Sequence, residues 1–467
     1  MTLKTAALVV LVITMAWGGF AFGAVYPWAY WPLLAGVASV AMLGLLAPSS
    51  RHRRSALSAL SWALMGFLLA AAIQLLPLPV DTLRWLSPET PSIVAQLDIA
   101  SRVGVTTTHS LSISPARTAT VIAIVATLSL CVIGAARLFS IIGVSGIAAA
   151  IAIVGTVMAL TGIIQKPIYS GQIYGFWSPL QSGAHPFGPF VNQNHFAAWM
   201  LMALPVTLGL LGGHLAREQG RGRSDVRERI LWLSSPDANR QALLMGAVAI
   251  MTLSLVLTSS RSGMSAGAIA LVTVALSFRQ RLARRKGVVA VATLSALILI
   301  VVVWAGTSAI ASRFSSGVQD FDGRVAVWQD ALQIVRLYPL AGTGLNTFDL
   351  ATIFYQRFNR STRYLQAHND YLQLAAEGGL LLIVPALACI GVFGLTVRRR
   401  FRDDASRTGY WIRTGAVVGI LAIALQETVD FSLQIPGNAY LFALLCAIAL
   451  HEGRRRDAGS SVTVVGR

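Results

Sequence analysis

The chain has 467 residues, of which 55% are hydrophobic and only 12% are charged, and its mean hydropathy is +0.66. An ordinary soluble domain carries about 25% charged residues, so this composition excludes a single water-soluble core. Lipid must solvate much of the surface, and only helices or closed barrels satisfy every backbone polar group there. The apolar stretches are continuous and do not alternate with polar residues, which favours a helical bundle over a barrel.

Twelve apolar stretches have roughly the 20 residues that a helix needs to cross a bilayer. They lie near 5–23, 27–47, 57–78, 117–136, 141–164, 191–213, 242–259, 262–278, 287–309, 379–397, 414–428 and 437–451. The predicted fold class is therefore an all-α integral membrane protein with about twelve transmembrane helices. The three cysteines lie inside apolar stretches, so we expect neither a disulfide framework nor thiol chemistry.

The net charge of +18 is distributed unevenly along the chain. If the N-terminus is cytoplasmic, more than two thirds of the 37 Lys and Arg residues fall in inward-facing segments. The outward-facing segments then hold about as many acidic as basic residues. This positive-inside pattern predicts that both termini lie in the cytoplasm. Anionic lipid of the inner leaflet accounts for the excess charge, so we expect no nucleic-acid partner.

One outward-facing segment, 310–378, is much longer than the others and predicts a small helical periplasmic domain between the ninth and tenth helices. Within it, apolar residues recur at helical spacing over 324–337, with Asp322 as the expected N-cap. The chain thus divides into a bundle of nine helices over 1–309, this domain, and a last part over 379–467. That last part holds helices ten to twelve and a basic cytoplasmic tail.

Several polar residues stand at the outer ends of the predicted helices. Asn194 and His195 open the sixth span, where they would form the wall of a pocket for sugar or phosphate, or only a helix cap. Arg261 lies in the tight turn between the seventh and eighth spans and runs against the positive-inside pattern. Nearby amides and hydroxyls are suited to bind an anion with it. The structural alternative is a snorkelling interfacial arginine.

A second arginine, Arg324, opens the predicted helix over 324–337. There a guanidinium and a helix N-terminus together suit a phosphate, which the guanidinium can bind in a bidentate manner. The structural alternative is a solvated ion pair with Asp320 or Asp322.

A third group lies where the chain enters the tenth span. Asn369 or Asp370 can cap that helix, which leaves His368 at its N-terminal edge. The partial positive charge of a helix N-terminus disfavours imidazolium, so His368 is expected in the neutral form that a general base needs. Glu427 and Asp430 lie in a polar stretch that separates the last two spans. Their carboxylates are expected either to pair with the outer arginines or to belong to a plain turn.

Taken in order, these segments resemble the O-antigen ligase and O-antigen polymerase superfamily. The motifs are Ser260-Arg261-Ser262-Gly263, Gly323-Arg324, Gly342-Thr343-Gly344-Leu345-Asn346, His368-Asn369-Asp370-Tyr371-Leu372 and the stretch from Asp430-Phe431 to Pro436. The resemblance implies a metal-independent glycosyltransferase without a cofactor, in the bacterial inner membrane, with its active site on the periplasmic side. The donor would be a glycan on undecaprenyl diphosphate, and the acceptor a hydroxyl of lipid A core or of a second glycan.

The resemblance also implies roles for individual residues. Arg261 and Arg324 would bind the diphosphate, and His368 would activate the acceptor hydroxyl. The other members of the expected substrate pocket are Asn194, His195, Asn369, Asp370, Glu427 and Asp430. Ligases and polymerases share these motifs, so both functions remain open, as do the sugars and the oligomeric state.

A lipid-linked glycan flippase or another transporter is the more distant alternative, because twelve spans with both ends inside fit many transporters. Ion-coupled transporters usually need charged groups near the membrane midplane. As drawn, no span holds an Asp, Glu, Lys or Arg in its interior, and no internal repeat is evident. These features favour the transferase.

Overall fold

The computed structural model describes residues 3–48, 57–180, 184–217, 234–281, 317–358, 363–404 and 406–453. Within these ranges the chain forms sixteen α-helices. They are α1 Leu3–Phe20, α2 Pro27–Leu46, α3 Ser58–Ile73, α4 Val80–Leu86, α5 Thr90–Leu97, α6 Ile99–Arg102, α7 Pro115–Ile142, α8 Ser145–Ile168, α9 Gln193–Arg217, α10 Pro236–Leu257, α11 Arg261–Arg281, α12 Gly317–Leu337, α13 Phe348–Tyr355, α14 Asp370–Asp403, α15 Arg407–Gln426 and α16 Pro436–Leu450. Two short strands, β1 Leu78–Pro79 and β2 Thr108–His109, pair antiparallel.

Eight of these helices are long and apolar enough to cross a membrane, namely α2, α7 to α11, α14 and α15. Three shorter apolar helices, α1, α3 and α16, fall on further predicted spans. The all-α membrane class is therefore confirmed. The predicted ninth span, 287–309, lies outside the described residues, so the total of twelve spans stays a prediction.

Helix α9 forms the centre of the bundle and is buried along its whole apolar length. Its neighbour α15 approaches so closely that a Cβ on Gly209 or Gly415 would overlap the backbone of the facing helix. Small residues permit such an approach between membrane helices. The Gln426 side-chain amide at the end of α15 donates to the Asn194 carbonyl oxygen at the start of α9, 3.1 Å away. We call the end of the bundle where these two residues meet the site end.

At the site end, two segments far apart in sequence share one small hydrophobic core. Ile93 and Ile113 pack with Val327 and Ile334 of α12 and with Phe348 of α13. We call residues 78–114 and 317–369 together the cap. The 310–378 domain predicted from the sequence does not include the first of these segments.

Helix α12 corrects the prediction for this region. It begins at Gly317 rather than 324, so Asp322 lies inside the helix and is not its N-cap. A single interior glycine costs a helix only about 1 kcal/mol, and Gly323 does not end it. Not every apolar residue of the predicted helical stripe over 324–337 is buried. Leu332 is 45% exposed, whereas Val327 and Ile334 are buried.

Helix α14 is broken at Gly379, which separates a short outer part from the long apolar part. The backbone there is left-handed, with φ of 53°, and a Cβ would collide with the Leu340 backbone. The backbone N–H groups of Leu380 and Leu381 donate to Pro339 and Leu340 at 2.9 and 2.8 Å. The loop that follows α12 therefore bonds to α14 at the break, and these bonds hold the outer part of α14 against the cap.

The opposite end of the bundle, which we call the Arg413 end, contains a buried ion pair. Helix α15 begins at Arg407, before the predicted span, so Arg413 lies inside it and is fully buried. Its guanidinium pairs with Asp404, which is equally buried. It also donates to the carbonyl oxygens of Ala449 and His451 at 3.0 and 2.7 Å. The predicted span 414–428 therefore begins too late, and the helix includes a charged residue, Arg413, that the span as drawn leaves out.

Candidate functional site

The ring of Phe431 lies at the centre of the site end, in the loop between α15 and α16. His195 and His368 each contact it edge to face, with centroid distances of 4.9 Å and interplanar angles of 77°. His195 stands in the first turn of α9, and His368 immediately precedes α14. Two histidines from distant segments are thus brought to one phenyl ring.

The loop that carries His368 is closely held. Asn369 is the N-cap of α14, as predicted, and its side-chain oxygen accepts from the Leu372 N–H at 3.0 Å. On the other side, the Ala367 carbonyl oxygen accepts from the indole N–H of Trp328 in α12, also at 3.0 Å. Between these anchors His368 adopts a left-handed conformation, with φ of 50°. A residue with a Cβ rarely takes this conformation, so the surrounding bonds fix the position of the imidazole.

Burial and, to a smaller extent, the positive charge of Arg324 together lower the pKa of His368 to about 4. The imidazole is therefore neutral near pH 7, as expected from the sequence. The principal cause is burial, however, and not the helix N-terminus that the sequence suggested. Its Nδ1 atom is buried and has no hydrogen-bond partner. A neutral imidazole in this state can accept a proton from a substrate.

Arg324 lies in the second turn of α12 and is half-buried. The N-terminal amides of this helix belong to residues from Gly317 onward. They therefore do not join the guanidinium in a shared phosphate site, as the sequence had predicted. The charge of Arg324 lowers the pKa values of both His368 and Asp430, which places the three groups in one electrostatic neighbourhood.

Arg261, which the sequence predicted in the turn itself, is the first residue of α11. Close packing between Gly263 and Ala197 sets this end of α11 against the first turns of α9. The Ser260 hydroxyl accepts from the Gly263 N–H at 3.2 Å and closes the turn. Arg261 is thus at the site end with Asn194, while the contacts of His368 involve Arg324.

Three carboxyl groups surround the loop after α15. The Asp370 N–H donates to the Glu427 carbonyl oxygen at 3.0 Å, which joins α14 to this loop. Burial, and next the neighbouring Asp370 carboxyl, raise the pKa of Glu427 to about 10. Burial also raises the pKa of Asp430 to about 6, although the Phe431 N–H and Arg324 oppose that rise. Asp430 therefore interacts with an arginine as predicted, whereas Glu427 faces another carboxyl.

Buried polar atoms without hydrogen-bond partners gather around Phe431. They are His195 Nε2, His368 Nδ1, Gln426 Oε1, Asp430 Oδ2, Ser432 Oγ and Asn438 Oδ1. Folded proteins pair the great majority of such atoms, so this concentration calls for an explanation. Most of these atoms are oxygen acceptors. They complement a ligand that donates hydrogen bonds, as the hydroxyl groups of a sugar do.

Residues 246–387 match the family model described as O-antigen ligase. This match supports membership of the O-antigen ligase superfamily. The match covers less than half of the chain, and it includes Arg261, Arg324 and His368. Together with the described helices, membership identifies a multi-pass bacterial membrane protein. A comparison with curated proteins found no match.

Membership in the O-antigen ligase superfamily implies an enzyme that ligates or polymerises glycans. The substrates of such an enzyme are, in general, a lipid-linked glycan and a polysaccharide or lipid A acceptor. Asn194, His195, Glu427 and Asp430 lie outside the matched residues, yet the structure brings them to Phe431 and His368. Only the fold reveals that the matched and unmatched segments form one site.

Several site residues were not singled out from the sequence. In the sequence, Phe431 and Asn438 are only parts of the polar stretch that begins at Glu427, and Gln426 stands just before it. Their chemistry gave a weak signal, since a single amide at a helix end is more often a structural cap. Their positions became significant only when the loop after α15 folded against the start of α9.

Proposed function

We propose that the protein transfers a glycan from undecaprenyl diphosphate to a sugar hydroxyl, as an O-antigen ligase does, on the periplasmic face of the inner membrane. The observation that carries the proposal is a neutral, unpartnered imidazole at His368 beside the positive charge of Arg324. A base next to an anion-binding group is the pair of functions that this reaction needs.

In the proposed reaction, the acceptor oxygen forms a bond to the anomeric carbon of the donor while the bond from that carbon to the diphosphate breaks. The acceptor proton moves to His368, and the undecaprenyl diphosphate leaves with the bonding electrons. Arg324 and Arg261 stabilise the negative charge that develops on the leaving group. Because two guanidinium groups supply this positive charge, we propose that the reaction needs no metal ion.

The acceptor sugar is proposed to lie against the loop after α15. The unpaired oxygens of Gln426, Asp430 and Asn438 would accept hydrogen bonds from its hydroxyl groups. A phosphate offers acceptors rather than donors and fits the arginine side of the site better. Donor and acceptor would then approach His368 from different sides.

The orientation of the site also belongs to the proposal. Its support is the charge distribution, since the basic loops predicted for the cytoplasm adjoin the Arg413 end of the helices. The site end would then face the periplasm, where the glycan of a lipid-linked donor is found. Both termini would lie in the cytoplasm.

Transfer between two lipids in detergent tests the proposal directly. Purified protein is incubated with undecaprenyl diphosphate-linked glycan and with lipid A core, and the products are separated by mass. We expect glycan on the second lipid. Because detergent leaves no compartments to separate, a flippase would give no product, and that result would refute the proposal.

A gene deletion separates the ligase from the polymerase. Loss of a ligase leaves lipid A core without polymer, while normal polymer remains on the carrier lipid. Loss of a polymerase leaves single repeats in place of long chains. The second outcome would assign the same site to polymerisation.

The arginine roles are tested by Arg261→Lys and Arg324→Lys. Lysine keeps the charge but loses the planar fork that binds phosphate oxygens in pairs. We expect transfer to fall sharply in both variants, with a raised KM for the donor. Near-normal transfer by both would reduce these residues to ordinary interfacial cations. Arg217→Lys, at the end of α9 remote from the site, is the matched control.

A further inference from the structure

Gln373, in the first turn of α14, is buried and connects four parts of the site end. Its side-chain oxygen accepts from the Ala367 N–H at 3.0 Å. Its amino group lies 2.7 Å from Gln366 Oε1, 3.2 Å from Glu377 Oε1 and 3.4 Å from Gln434 Oε1. None of these partners is the reacting group, yet Ala367 immediately precedes His368.

The orientation of this amide follows from its partners. A backbone N–H can only donate, so the Gln373 atom facing Ala367 must be the oxygen. The amino group is left facing three oxygens, which are all acceptors. Gln434 in turn donates from its own amide to Asp370 Oδ1 at 2.6 Å. The network therefore extends from the His368 loop to Gln434, in the loop after α15, and back to Asp370 at the start of α14.

Glu377 anchors the other side of the network. Its carboxylate oxygens accept from the N–H groups of Asn346 and Phe348 at 2.8 and 3.0 Å, at the start of α13. Gln373 thus lies between a fixed element of the cap and the loop that holds the base. A side chain in that position transmits the rigidity of the cap to the loop.

We propose that Gln373 is a positioning residue for His368, holding the loop in the left-handed conformation that presents a neutral imidazole to the acceptor hydroxyl. This inference rests on the proposed function, in which His368 is the general base. Three hydrogen bonds support it. Trp328 of α12 and Gln373 of α14 both bond to the backbone of Ala367, just before His368. Asn369, just after His368, caps α14.

The pH dependence follows from the surroundings of His368. Arg324 of α12 and His195 of α9 interact with it electrostatically. The loop after α15, which carries Glu427 and Asp430, contacts it through Phe431, and Asp370 lies two residues further along the chain. If the loop is released, the imidazole gains water and its pKa rises toward the ordinary value of about 6.5. More of the base is then protonated in mildly acidic solution, and transfer falls there first.

Gln373→Met tests this inference, because methionine has a similar length but neither donates nor accepts through an amide. Gln74→Met is the matched control. Gln74 is a buried glutamine at the same end, and its amide contacts the backbones of Ala341, Leu345 and Glu377 rather than Ala367. Both variants lose several buried hydrogen bonds. An effect that comes only from lower stability should therefore appear in both variants, whereas an effect on His368 should appear only in Gln373→Met.

Two measurements are made on full-length protein in detergent. The first is kcat and the donor KM for transfer between pH 3 and pH 8, a range that includes the wild-type midpoint of about 4. The second is the rate at which diethyl pyrocarbonate modifies His368, followed on its own peptide by mass spectrometry. Only neutral imidazole reacts, so this rate reports the protonation of His368 without requiring activity.

For Gln373→Met we expect kcat to fall about 10²-fold, as for a displaced catalytic group, with the donor KM unchanged. The midpoints of both pH profiles should move toward 6.5. Gln74→Met should keep the wild-type midpoints. Wild-type kcat and midpoints in Gln373→Met would overturn the positioning role. If His368→Ala keeps full transfer, His368 is not the general base and the proposed function is refuted. The rate of His368 modification in Gln373→Met still decides whether Gln373 positions the loop.

Discussion

Two buried groups of polar side chains, one around Arg413 and one around Phe431, differ in how completely their hydrogen bonds are satisfied. At the Arg413 end, the guanidinium of Arg413 finds an acceptor for each of its three nitrogens, and Asp404 also accepts from the Ser406 N–H at 3.0 Å. At the site end, Asp430 and Asn438 are just as buried, yet each leaves an oxygen unpaired.

This difference separates a structural contact from a binding site. Unpaired buried polar atoms cost free energy, so a fold accumulates them only where another molecule pairs with them or where it tolerates the cost for function. Arg413 connects the ends of α14, α15 and α16 through bonds that are already complete. The groups around Phe431 have hydrogen-bonding capacity left for a substrate. We therefore expect substitutions at the two ends to have different consequences.

The largest expected effect is that of His368→Ala at the site end. Loss of a general base should lower transfer by roughly 10²- to 10⁴-fold, while donor binding and thermal stability stay near wild type. In the wild type, transfer should rise with pH through an apparent pKa of about 4, since the protonated imidazole is inactive. Kinetics across pH and a donor-binding assay check both points. If His368→Gln transfers as well as wild type, hydrogen bonding suffices and no base is needed.

The next effect concerns stability and comes from Arg413→Leu at the Arg413 end. The substitution leaves Asp404 buried without its partner, which should destabilise the fold by about 3–5 kcal/mol. Thermal unfolding in detergent measures the loss, and any fall in transfer should follow the fraction unfolded. Adding Asp404→Leu removes the uncompensated charge and should recover much of the stability. An unaltered melting temperature in the single variant would contradict a structural role for the pair.

The smallest effect is a change in how stability depends on pH, and Glu427→Gln reveals it. The ordinary pKa of Glu427 is 4.5 and burial raises it to about 10, so the folded state binds more protons between those values. Stability contributed by this group is therefore present below pH 4.5 and is lost as pH rises through that window. Glutamine cannot ionise, so the variant should lose less stability than wild type between pH 5.5 and pH 8.

The melting temperature should differ by a few degrees across that range, since 1 kcal/mol shifts it by about 2–4 °C in domains of 150–250 residues. Asp81→Asn serves as the control, because the Asp81 side chain is 94% exposed. Equal pH dependence in wild type and Glu427→Gln would mean that Glu427 is not protonated in the fold.

Helices and caps were predicted correctly from the sequence where a single property of a short stretch of chain determines them. Apolar length alone located the eleven predicted spans that fall on described helices, since the bilayer requires it of each helix separately. The cap of α14 at Asn369 was likewise predictable, because its hydrogen bond closes within three residues. The predicted start of α12 was wrong for a related reason. Gly323 is a weak local break, and helical continuity outweighed it.

By itself, the sequence determined the membrane class, the helical spans and the motifs that mark Arg261, Arg324 and His368. Each of these depends on composition or on neighbours along the chain. Only the tertiary structure decided that Phe431 contacts both His195 and His368, that Gln373 bonds to the backbone next to His368, and that Arg413 is buried. These contacts join residues from different helices, and their energies depend on burial and distance. Neither quantity exists until the helices pack against one another.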